Sequence, residues 1–163
     1  MMNKLKGLIA TVMLMSSSTF AQSVQFNQVY SLDSQSARTL MDAAVTACQK
    51  IQHNIAVVVV DRGGNTLMAN RHETVGPHNL GAAEKKAYTA LSTKTATMLL
   101  SQNANENKDA KNLTTLSNLL LLGGGLPVRY ENQVVGAIGV AGAGGAKNDH
   151  YCAETAVKSI FNP

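Results

Sequence analysis

Tryptophan is absent from the sequence, and only three phenylalanines and four tyrosines are present. A flat aromatic ligand would therefore be held mainly by aliphatic side chains, backbone and a few polar anchors. Cysteine is scarce too. Cys48 and Cys152 stand far apart, and neither CxxC nor HExxH occurs, so no zinc-binding pattern is present. Beyond residue 21 no run is long and apolar enough to span a bilayer. Formal net charge is only +4, the lysines are scattered, and no basic stretch is interleaved with aromatics. That argues against nucleic acid as a partner. No Ser–His–acid or Cys–His arrangement stands out by spacing.

What is present begins with an export pattern. Lys4 and Lys6 precede the apolar run from Leu8 to Met15, and Thr19 and Ala21 put small residues where a signal peptidase reads them. The expectation is a signal peptide over residues 1–21, cleaved after Ala21, and one domain over 22–163 in the periplasm or secreted. An uncleaved N-terminal anchor is the alternative. Processing would lower the net charge of +4 by the two lysines lost. In an exported chain an even cysteine count permits a disulfide between Cys48 and Cys152, and two buried free thiols are the other reading.

Periodicity supplies the elements. Ala37, Leu40, Met41, Ala44, Val45, Cys48 and Ile51 recur at helical spacing, which predicts a helix over about 33–52 capped by Asp33 or Ser31. Ile55 to Val60 is a β-branched run that predicts a buried strand. Arg62-Gly63-Gly64-Asn65 turns it into a returning strand over 66–70. Pro77 prepares a helix over 79–91, and a shorter one is expected near 95–101. The polar stretch 103–112 predicts an exposed, mobile loop. Strands are expected at 119–122, 127–130 and 134–140, and a last helix at 147–161. Short hairpins with helices between them predict an α+β fold, an antiparallel sheet covered by helices.

Two glycine clusters invite a phosphate-loop reading. Gly123-Gly124-Gly125 lacks a following Gly-Lys-Ser/Thr, and Gly142-Ala143-Gly144-Gly145 lacks GxGxxG spacing. Tight turns explain both, and backbone N–H groups near the last helix offer an anion site as the alternative. The stretch from Arg71 to His78 is the most histidine-rich, with His72, Glu73 and His78 between a strand and a helix. Such junction loops carry function more often than cores do. On composition alone a solvated loop with incidental histidines is the better reading. His53 and His150 lie near helix ends, as caps or surface residues.

Four blocks together resemble the GlcG/HbpS-like family, which includes the C-terminal domains of PduO-type proteins. They are Val57 to Gly64, Gly76 to Ala90, Gly123 to Val128 and Val134 to Gly142, with Asp149, Cys152 and Ala153 following. The resemblance runs from about Leu32 to Ala156. It implies a profilin-like fold with a five-stranded antiparallel sheet flanked by helices, often assembled as a homo-oligomer. It implies haem as the cofactor, since members bind haem, and a membrane sensor as a partner for extracellular members. By that analogy His78 would ligate haem iron, with His72 as its rival, and Arg71 or Lys85 would meet the propionates. In such a fold the first and last helices run antiparallel, which would bring Cys48 near Cys152. Three functions remain open: an exported haem-binding protein that senses or handles haem, an enzyme acting on a small hydroxyacid or corrinoid-linked compound, and a non-catalytic oligomeric sensor accessory.

Overall fold

A computed structural model of the protein describes residues 24–161. The expected signal peptide and its cleavage point lie outside the described residues.

Helix α1 (Ser34–Gln49) opens the fold. Asp33 is its N-cap, and its carboxylate accepts from the Ser36 N–H at 2.7 Å. Strands β1 (Ala56–Asp61) and β2 (Thr66–Arg71) form the expected hairpin. Helix α2 (His78–Thr93) follows, then α3 (Thr97–Glu106), a single turn α4 (Lys108–Lys111) and a 3₁₀ turn (Asn112–Thr115). Strands β3 (Gly125–Tyr130) and β4 (Gln133–Ala141) make the second hairpin, and α5 (Ala146–Phe161) ends the chain.

The sheet has four antiparallel strands in the order β2-β1-β4-β3, not the five expected. The missing strand is 119–122. Its backbone is satisfied by hydroxyls instead of a ladder: Leu120 N–H donates to Thr89 Oγ1 at 2.8 Å, and Leu122 carbonyl accepts from Thr97 Oγ1 at 2.7 Å. The stretch 103–112 also departs from expectation. It is largely helical, because Asn107 stops α3 and its side chain caps α4 by accepting from Asp109 and Ala110 N–H groups.

Both faces of the sheet are covered, which is why β1 and β4 read as continuous apolar runs and not as alternating ones. Val57, Val59, Ile138 and Val140 face α1 and α5 in the larger core. Ala56, Val58, Val60, Ala137 and Ala141 face Ala83, Ala87 and Ala90 of α2. The α2 side is built from small residues, so this helix lies close upon the sheet. At Gly139 a Cβ would collide with the Ala83 carbonyl oxygen. A glycine inside this strand thus marks a close backbone approach.

On the opposite face Cys48 and Cys152 are joined by a disulfide with a Cα–Cα distance of 5.2 Å. Both are fully buried between α1 and α5.

Candidate functional site

The loop between β2 and α2 is tied down by its own residues. Arg71 turns its guanidinium inward, donating from Nη1 to the carbonyls of His72 and Val75. Val75 is buried and lies against Gly142, where a Cβ would press on it at 2.7 Å. His72 shares its Nδ1 between Thr74 Oγ1 at 2.9 Å and Glu73 at 3.5 Å. Arg71 and His72 are thus engaged in shaping the loop.

His78 is different. It is the first residue of α2, it is exposed, and its ring makes no hydrogen bond or ion pair among the described residues. Gly76 leaves the space its imidazole occupies, since a Cβ there would come within 3.0 Å of the ring. Pro77 and the helix fix the backbone beneath it. The ring nitrogens are therefore presented to solvent on an ordered base.

His78, Gly81, Ala82 and Lys85 follow the i, i+3, i+4, i+7 spacing of one helix face. His78 and Lys85 are both exposed and stand about 10 Å apart along the axis. Between them Gly81 has nothing within 4 Å of where its Cβ would be. The strip is open and low, with an imidazole at one end and an ammonium at the other. Lys85 Nζ donates to the Ser117 carbonyl at 2.9 Å, and lines a hollow of about 240 Å³ with Glu84, Tyr88 and Asn118.

The neighbouring lysine carries no local sequence signal of a role. Lys86 is 1 % exposed, and its Nζ lies 2.8 Å from Asp149 Oδ2 and 3.0 Å from the Val140 carbonyl. Asp149 Oδ1 in turn accepts from the Ala143 N–H at 2.8 Å. This buried group clamps α2, the end of β4 and the first turn of α5. Gly124, at φ +122°, makes room for it, because a Cβ there would press on Asp149 at 2.9 Å and on Lys86 Nζ at 3.2 Å. The glycine clusters accordingly serve turns and close approach.

His53 sits under Gly144, and Asn148 Nδ2 reaches its Nε2 at 3.4 Å. His150 Nδ1 is buried without a partner among the described residues. No cluster of three or more His, Cys, Asp or Glu suited to a metal ion occurs among the described residues.

Residues 32–158 match the family model described as haem degrading protein HbpS-like. The chain belongs to the HbpS-like family. Protein GlcG of Escherichia coli strain K12 is 30 % identical over 110 residues, covering 68 % of this chain and 81 % of that protein. A crystal structure of a Streptomyces reticuli HbpS double mutant superposes with a TM-score of 0.78 at 31 % identity, covering 91 % of this chain and 99 % of that one. A crystal structure of a PduOC:haem complex has a TM-score of 0.72 at 27 % identity, covering 80 % of this chain and 96 % of that one. The α+β architecture with an antiparallel sheet flanked by helices is the one these relatives share.

Proposed function

We propose that this chain is an exported haem-binding protein and that it holds haem on the exposed face at the start of α2. The observation that carries the reading is the unpaired His78 imidazole, fixed at the first turn of a helix in a chain whose fold matches a PduOC:haem complex. The residues fit the group. An imidazole suits iron, the open strip over Gly81 and Ala82 suits a flat macrocycle, and Lys85 can exchange its carbonyl partner for a propionate. Arg71, turned onto its own loop, and His72, bonded to Thr74, are better suited to holding the loop than to meeting the ligand. Haem, when bound, would supply an iron centre open to ligand exchange and redox change.

Export is supported by the leading charged-apolar-small pattern and by the buried disulfide, which belongs to an oxidising compartment. Homo-oligomerisation is supported by Val24, Phe26, Val29 and Tyr30 ahead of α1, whose side chains stand 47–92 % exposed. A second copy would cover such a patch. Mass spectrometry of the exported protein and light scattering at micromolar concentration test these two points. A chain starting at Met1, or a monomer, would contradict them.

Haemin titration of the full chain tests the central claim. The expected result is a saturable Soret change that His78→Ala abolishes or weakens tenfold or more, while His72→Ala leaves it largely intact and circular dichroism is unchanged. Unchanged binding in His78→Ala would reject the ligand assignment. No saturable binding by the wild type would reject the haem reading itself and leave the enzyme and accessory readings.

A further inference from the structure

A second groove lies at the opposite end of α2. Here the α2–α3 junction, the edge strand β3 and the C-terminal half of α5 enclose an open groove of about 430 Å³. That volume lies in the range of small-molecule sites. Its apolar lining includes Leu99, Leu126, Pro127 and Val157. Leu99, on its wall, is 48 % exposed. The helix therefore presents a large aliphatic side chain to an unfilled surface.

The rim is charged, and unevenly so. Glu154 is already matched, since its carboxylate lies 3.0 Å from Lys158 Nζ. Lys94 and Arg129 line the same groove and have no ion-pair partner among the described residues. Arg129 Nη2 donates to the Lys94 backbone carbonyl at 2.7 Å, so the two residues stand side by side in the groove. The remaining N–H groups of the guanidinium stay free for an anion. Lys94 is the C-cap of α2, in the left-handed conformation at φ 55°.

We infer that this groove binds a small amphiphilic carboxylate, with its hydrocarbon chain on Leu99, Leu126, Pro127 and Val157 and its carboxylate between Lys94 and Arg129. The charge asymmetry decides the ligand class. A neutral apolar molecule would leave two unmatched cations beside it, and a cationic one would be repelled. No histidine, cysteine or methionine lines the groove, so it offers no soft donor to haem iron and is a separate site.

Hexanoate and hexan-1-ol are the probes, titrated into the full chain by calorimetry and by amide chemical-shift mapping. Hexanoate should saturate in the millimolar range or below and move the resonances of Ala96, Leu99, Leu126 and Val157. Hexan-1-ol should bind more weakly. The double variant Lys94→Ala/Arg129→Ala should weaken hexanoate by about fivefold or more at low salt, since exposed pairs are each worth a fraction of a kcal/mol. The difference should shrink as salt rises. Leu99→Glu, at a half-exposed position, should abolish binding with the fold retained. The proposal is overturned if hexanol binds as well as hexanoate, or if the double variant binds unchanged. It is also overturned if His78→Ala weakens hexanoate as much as the double variant does, since the carboxylate would then sit at the start of α2. An oligomeric state changed by Leu99→Glu, with hexanoate binding unaltered, would assign the groove to a second copy and overturn it too.

Discussion

Lys86 Nζ and Asp149 Oδ2 lie 2.8 Å apart with side chains only 1 % and 6 % exposed, joining two helices through residues 63 apart in sequence. Each charge has lost its water and depends on the other. Removing one partner should cost about 3–5 kcal/mol, because the survivor stays buried and uncompensated. Lys86→Met and Asp149→Asn should each lower the denaturation midpoint by a corresponding amount in urea. The double variant Lys86→Met/Asp149→Leu should recover part of the loss. If the single variants are as stable as the wild type, the pair is not holding the fold.

The same pair shows where the sequence was legible and where it was not. Ala83, Ala87 and Ala90 recur at helical spacing on the inner face of α2, and Lys86 falls on that stripe. Its helical phase signals burial, but a lysine reads by type as a surface residue. Its partner lies on another element, and no local pattern reveals a pairing of that range. The hairpins, α1 and α5 were legible because each has a period and a turn of its own. The stretch 119–122 was not, because four leucines in a row suit strand or loop equally, and the choice was made by hydroxyls of Thr89 and Thr97 on two helices. The helix start at His78 was legible from Pro77. The engagement of Arg71 with its own loop was not, since it depends on how residues 72–75 turn.

Asp61 closes the first hairpin. Its Oδ1 accepts from the N–H groups of Gly63 at 2.8 Å and Asn65 at 2.9 Å, and its Oδ2 from Asn65 Nδ2 at 3.0 Å. The Asn65 side chain first, and these backbone N–H groups with it, hold the Asp61 carboxyl below its ordinary value. A depressed pKa in the folded state means stability that is present above the unfolded value of about 3.9 and lost as pH falls through the folded value. Asp61→Asn should therefore be less stable than the wild type at pH 7, and the gap should narrow on acidification below about pH 4. An equal gap at both pH values, by urea denaturation, would remove the carboxylate from the explanation.

Two glycines on facing elements should respond oppositely to a methyl group. At Gly139 the added Cβ would strike the Ala83 carbonyl, so Gly139→Ala must push α2 off the sheet. Overpacking of this kind costs about 1–3 kcal/mol. At Gly81, inside α2, the Cβ meets nothing within 4 Å. Gly81→Ala should gain about 0.5–1 kcal/mol from the restricted unfolded chain. Thermal melts of the two variants check both signs. A destabilised Gly81→Ala would mean that this face of α2 is covered.

The disulfide should carry a large share of the stability. Cys48 and Cys152 are separated by 104 residues, so the bond removes much of the freedom of the unfolded chain. For a loop of this length the chain-entropy estimate is about 4.7 kcal/mol. Native proteins hold only about 5–15 kcal/mol in total, so a loss of that size moves the chain close to its unfolding threshold. Both sulfurs lie in the core between α1 and α5, and a reductant should reach them only when the fold opens. Reduction should therefore be slow in native buffer and fast in moderate urea. Once reduced and alkylated, the protein should unfold at a far lower urea concentration. Rapid native-state alkylation after brief reductant treatment would show the bond to be accessible. A reduced protein as stable as the oxidised one would show that the loop closure contributes nothing.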